Sequence, residues 1–102
     1  MDDTWLTHDS FAPLVGSSFA ATTEDGTLEL TLVSADDAGI PGGTSPDGRT
    51  RTQFSIEFTG PVDKPLTQGA YELTCDALGT QSIFLVPVQV DADKAYYEAV
   101  FA

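Results

Sequence analysis

The chain has 102 residues, of which 16 are Asp or Glu and only four are Lys or Arg, for a formal net charge of −12. Tight binding to a polyanion depends on cations that displace its counterions, and Arg49, Arg51, Lys64 and Lys94 are too few and too scattered to form a basic stripe. Nucleic acids and anionic membranes are therefore excluded as expected partners. A hydrophobic content of 41% suits one β-rich domain over residues 1–102 that buries its own core, and the single Cys75 leaves no intrachain disulfide.

The first segment, MDDTWLTHDSF, is acidic and lacks the positive and apolar regions of a conventional secretion signal. Synthesis in the cytoplasm is expected, with any later place in an extracellular or virion-like assembly reached by another route. No apolar run approaches membrane-spanning length. Residues 7–16, THDSFAPLVG, predict one short helix: Thr7 or Asp9 can cap it, Gly16 can end it, and Pro13 limits it to a turn or two. Phe11, Leu14 and Val15 would share its apolar side, laid across a sheet or barrel end. Trp5 and Leu6 stand just upstream, where a hydrophobic staple or an intersubunit contact belongs.

A hairpin follows, SSFAATT and TLELTLVSA joined through Glu24, Asp25 and Gly26, with Leu28, Leu30 and Leu32 on one face. The stretch from Asp36 to Gly48, DDAGIPGGTSPDG, loses all periodicity and predicts a long loop around Ile40, a candidate contact surface. Strands are then expected over 49–60, with Phe54, Ile56 and Phe58 at period two, and over 71–75. GPVDKPLTQG between them reads as a turn segment. Residues 81–90 are apolar at both parities, which predicts a central strand covered on both sides, with Pro87 at a bulge or where the strand leaves the ladder. The last strand spans 96–101. Its adjacent Tyr96 and Tyr97 must point to opposite faces, so that one of them is available for an interface.

Reactive chemistry is sparse. His8 is the sole histidine, and no nucleophile elbow or Cys-His signature accompanies it. Cys75 alternates with Tyr71 and Leu73 and reads as a small core thiol. Asp91, Asp93 and Glu98, or Asp36 and Asp37, resemble fragments of a calcium loop without its spaced ligands and central glycine. One His and one Cys cannot furnish a tetrahedral metal site within one chain. No catalytic, metal or cofactor residue is assigned.

Several blocks, in order, carry a family resemblance: Phe11 to Gly16 (FAPLVG), Asp25-Gly26, Phe54 to Pro61 (FSIEFTGP), Pro65 to Tyr71 (PLTQGAY), Leu78-Gly79, Phe84 to Val88 (FLVPV) and Tyr97 to Phe101. In these the chain resembles a family of small uncharacterised bacterial domains whose genes often neighbour those of microcystin-dependent, phage-tail collar-domain proteins. The chain departs from that pattern in its GIPGGTSPDG loop, its acidity and Cys75. The resemblance implies no catalytic residue, and it implies a part in a tail-like or surface fibre assembly. Its blocks consist mostly of glycines, prolines and apolar positions, which specify a fold rather than a reaction.

The expectation is a mainly β protein, a small antiparallel barrel or sandwich of about six strands with one short N-terminal helix. Its expected role is non-enzymatic: a structural or assembly protein without cofactor, acting on itself as a homo-oligomer, on a collar-domain protein, or on both. Trp5, Leu6, Ile40, Tyr96 and Tyr97 are the candidate interface residues. A module binding a small ligand, sugar or calcium ion in a barrel mouth is the alternative, and a hydrolase using carboxylates the third reading.

Overall fold

The structure is a computed structural model that describes residues 6–24, 26–44, 48 and 50–101, with the side chains of 43, 44, 50 and 51 excepted. Thr7 starts helix α1 (His8–Phe11), where its N–H donates to Ser10 Oγ at 3.0 Å and the Ser10 N–H donates to the Thr7 carbonyl at 2.9 Å. Pro13 falls in the 3-10 turn Ala12–Leu14 that follows, where its missing N–H costs nothing. Gly16 then takes φ +95°, a left-handed conformation that reverses the chain, and its N–H donates to the Leu32 carbonyl at 2.7 Å. Phe11 is buried and Leu14 half-buried as expected, but Val15 stays 46% exposed because the turn at Gly16 rotates it off the apolar side.

The strands are β1 (Ser18–Thr23), β2 (Gly26–Thr44), β3 (Thr50–Pro61), β4 (Gly69–Cys75), β5 (Gly79–Val90) and β6 (Lys94–Phe101). All pairings are antiparallel and close a barrel in the order β1-β2-β3-β6-β5-β4. Strand β2 is long enough to serve two neighbours, with Thr31 opposite both Ser18 of β1 and Thr59 of β3. A register shift between Leu32 and Ser34 lets it bend from one to the other.

Period-two patterning fills the interior: Phe19, Ala21, Leu30, Leu32, Phe54, Ile56, Phe58, Leu73, Ile83, Leu85, Ala95, Tyr97 and Ala99 are all at most 2% exposed. One end is plugged by Phe11 of α1, whose ring lies 5.9 Å from Phe54 and 5.6 Å from Phe101, rings that are themselves stacked at 4.6 Å. At the other end the segment from Val62 to Gln68 crosses from β3 to β4, which are not neighbours in the barrel, and packs Leu66 against the core. Gly60 faces inward near this end. A Cβ there would lie 2.7 Å from Leu30 Cδ2, so the glycine makes room for the Leu30 side chain.

Three expectations need correction. The long loop over 36–48 is ribbon through Thr44: β2 continues opposite β3 with Asp37 against Phe54, Pro41 against Thr52 and Thr44 against Thr50. Two register shifts absorb the extra residues. Gly39 takes φ +72° at the first shift, with its N–H donating to Asp37 Oδ1 at 2.7 Å, and the Gln53 amide donates to the Pro41 carbonyl at 3.2 Å. Cross-strand bonding and bulges thus override a composition that lacks periodicity. Second, Gly60 and Pro61 end β3 and are not themselves the turn, which is formed by the residues after them. Third, β5 is covered on one face alone: Ile83 and Leu85 are buried, while Phe84, Val88 and Val90 are exposed. Pro87 does sit at a register shift, between its pairing with Tyr97 and that of Gln89 with Tyr96.

Candidate interaction surfaces

Beyond the ring closed around the core, three outer regions carry side chains with chemistry. The broadest is the outward face of β3, β6 and β5. Register fixes its rows: Ser34, Glu57, Glu98 and Val86 lie across four neighbouring strands, and Asp36, Ser55 and Val100 form the adjoining row. Phe84, two residues before Val86 and therefore on the same face, extends that row beside Val100 and pairs onward with Ala70 of β4. Phe84 is 53% and Val100 68% exposed, whereas Glu57 and Glu98 are half-buried.

A second region is the β5–β6 hairpin, which Asp91 organises. Its Oδ1 accepts the N–H groups of Asp93 at 2.9 Å and Lys94 at 2.8 Å, and its Oδ2 accepts the Tyr96 hydroxyl at 3.0 Å. These donors favour the charged carboxylate, so the backbone N–H of Asp93 and then that of Lys94 hold Asp91 below the usual carboxylate range. The same contact raises Tyr96, whose ionisation would set a phenolate against the Asp91 carboxylate. Asp37 is lowered likewise, first by the Gly39 N–H and then by the Thr52 hydroxyl. Both carboxylates are thus explained by the turns they cap.

His8 defines the third region, where α1 meets the ribbon. Its Nε2 lies 3.2 Å from the Ala35 carbonyl and its Nδ1 3.4 Å from Asp9 Oδ1, while the ring stands edge-on to Phe54 at 6.5 Å. These contacts make His8 a strut between helix and barrel. Among the described residues no group of three or more His, Cys, Asp or Glu is arranged to hold a metal ion. A depression of about 310 Å³ is lined by Thr23, Thr27, Leu28 and residues Asp63–Leu66 of the crossing segment.

The five candidate interface residues divide. Trp5 lies outside the described residues. Leu6 is 8% exposed and belongs to the core, and Tyr97 is 1% exposed. Their side chains are spent on the fold: the Tyr97 hydroxyl accepts the Leu66 N–H at 2.8 Å and holds the crossing segment against the barrel end. Ile40, 53% exposed on the ribbon, and Tyr96, on the outward face of β6, do offer surface. Tyr71 acts beside Tyr97, its hydroxyl donating to the Thr67 carbonyl at 2.7 Å. Sequence reading drew nothing from Val100 of β6, and it missed Phe84 because it took β5 to be covered on both sides. The excess of apolar residues on that strand was nevertheless the signal.

A family model described as a domain of unknown function, DUF6916, matches residues 6–101, and the chain belongs to that family. The search of curated proteins found no match, and the search of solved structures found none. The matched span contains the plug, the ring of strands and the crossing segment. The blocks Pro65–Tyr71 and Tyr97–Phe101 are joined in space by the Tyr97 to Leu66 hydrogen bond.

Proposed function

We propose that this domain is a non-enzymatic assembly protein that works through protein–protein contacts, as a component of, or accessory to, a phage-tail-like or surface fibre. The observation that carries the reading is the run of apolar side chains left outside the barrel on β5 and β6. Phe84 is 53% and Val100 68% exposed on the outward face, and Val88 and Val90 near the end of β5 are 49 and 60% exposed. Register groups Phe84, Val86 and Val100 on one face, and apolar surface grouped in this way marks contact sites. The ribbon of β2 and β3 lends support. Beyond Phe54, which pairs with Phe101 near the end of β6, β3 keeps only β2 as its neighbour among the described residues, and the two strands run on as an arm bearing exposed Ile40. A second copy and a collar-domain protein are the two candidate partners, and the role needs no cofactor.

Site-specific photo-crosslinking in the native host tests the proposal. A crosslinker at position 84 should give a protein adduct in high yield, while one at the exposed position 22 on β1 should give little. Equal yields at the two positions, or no protein adduct at 84, would overturn it.

A further inference from the structure

On the outward face of β3 and β6, Glu57 and Glu98 are direct cross-strand partners, both half-buried. Like charges placed opposite each other in an antiparallel pair destabilise it. No described cation relieves them: Lys94 sits at the hairpin end, paired with Pro61, and Lys64 lies in the crossing segment, so both basic groups are at the far end of the sheet from Val100. Asp36 adds a third carboxylate one row away, in line with Ser55 and Val100. The apolar side chains Val86, Phe84 and Val100 border the pair directly, on the same face. This face therefore combines a self-repelling anionic centre with an uncovered apolar margin.

We infer that its occupant is a different protein that inserts an Arg or Lys between Glu57 and Glu98 while covering Phe84 and Val100 with apolar side chains. The inference rests on the assembly reading above and names the chemistry of the partner. A bare divalent ion fits poorly, because hard cations take six to eight oxygens and two cross-strand carboxylates supply too few. A second copy docked face to face fits poorly as well. Closing this surface on itself would bring four half-buried glutamates together between two chains that each carry a net charge of −12. A guanidinium, by contrast, can share its donors between two carboxylates, and its planar face tolerates apolar neighbours.

The test uses the full chain, labelled for amide NMR, and a synthetic peptide of about twelve residues alternating Arg and Val, long enough to cross four strands. A Glu-Val peptide and an oligoarginine of equal length are controls. The Arg-Val peptide should shift amides around 55–57, 84–86 and 98–100, and the Glu-Val peptide should shift none. Glu57→Gln with Glu98→Gln should weaken the Arg-Val peptide about fivefold, as expected for two partly exposed ion pairs, and should raise the melting temperature of the free chain. Phe84→Ser with Val100→Ser should weaken it to a similar degree.

Binding of oligoarginine as tight as that of the Arg-Val peptide, with shifts spread over the acidic surface, would overturn the inference. So would either double variant binding like the parent chain, a lower melting temperature for the double Gln variant, or a dimer in sedimentation that Phe84→Ser with Val100→Ser dissolves. If the peptide result fails while position 84 still crosslinks to protein in the host, the basic partner is wrong and the assembly reading stands. If the peptide binds as expected and position 84 crosslinks to nothing, the assembly reading falls.

Discussion

Strands β3 and β6 face each other over eight consecutive register positions, from Phe54 opposite Phe101 to Pro61 opposite Lys94, whereas β1 and β4 close the barrel through two, Ala20 opposite Thr74 and Ala21 opposite Leu73. Both pairings belong to one barrel, and both put Phe or Leu side chains into the same core. The β3–β6 pair is zipped by backbone bonds and reinforced by the Phe54–Phe101 stack. The β1–β4 seam sets Ala21 opposite Leu73, both buried in the common core. Closure removes strand edges in principle, but a short seam leaves most of β1 and β4 with one laddered neighbour. A barrel can thus be closed in topology while its stability is spread unevenly around the ring.

Matched truncations on the two sides provide the largest contrast. Phe58→Ala should cost about 3–5 kcal/mol, because the β3–β6 wall is rigidly paired and cannot collapse into the void. Leu73→Ala should cost closer to about 2 kcal/mol, since the seam can close around the gap. Urea unfolding of both variants measures the difference, and a Leu73 variant at least as costly as the Phe58 variant would contradict the uneven barrel. Native-state hydrogen exchange extends the comparison, with amides of β3 and β6 expected to open only in global unfolding and those of β1 and β4 to open first.

Gly60→Ala acts on the zipped side from within. Its new methyl meets Leu30 Cδ2, a buried side chain on the neighbouring β2, and the expected loss is about 1–3 kcal/mol. An unchanged denaturation midpoint would show that Leu30 yields freely. Tyr97→Phe leaves the packing of β6 intact but takes the acceptor from the Leu66 N–H. The expected cost is about 1 kcal/mol, with faster exchange confined to the crossing segment and its neighbours.

The smallest expected effect is pH dependence at the hairpin and the ribbon. Asp91 and Asp37 have folded-state values below their unfolded ones, so their contributions are present above the unfolded carboxylate range near pH 4 and disappear as pH falls through the lower folded values. Tyr96 is raised, so its contribution holds below about pH 10 and is lost as pH rises through its folded value. All three groups are at the surface, and the shifts in melting temperature should be slight. Asp91→Asn should flatten the acid limb relative to the parent chain. An unaltered acid limb would show that the hairpin carboxylate contributes nothing to acid sensitivity.

Much of this architecture was legible because it follows from local rules. Phe54, Ile56 and Phe58 alternate with polar residues, so one face had to be inside. Thr7 and Gly16 bracket the helix because one can cap and the other can take a positive φ. Pro87 had to interrupt a ladder. Gly60 was harder, since a Gly-Pro pair ordinarily signals a turn, and only the approach of Leu30 from another strand reveals a packing glycine. Likewise Tyr96 and Tyr97 must point apart, but which of them points in depends on register with β3 and on the Leu66 amide that the inward tyrosine meets.

The candidate surface was legible only in part. The apolar excess of β5 could be read directly, but an apolar strand is equally consistent with a layer of protein on each side or with one side left open. The unpatterned ribbon escapes sequence reading for a related reason, as its order comes from pairing with a second strand rather than from its own periodicity.

By itself the sequence determined the strand class, the short capped helix, the inward alternation of Phe54, Ile56 and Phe58 and the strong acidity, because each depends on residues within a few positions of one another or on composition alone. Tertiary structure decided the closing order of the ring, the inward turn of Tyr97, and the meeting of Glu57 with Glu98 beside Phe84 and Val100. These depend on register between strands far apart in the chain, where a slip of one residue would exchange every inside position for an outside one.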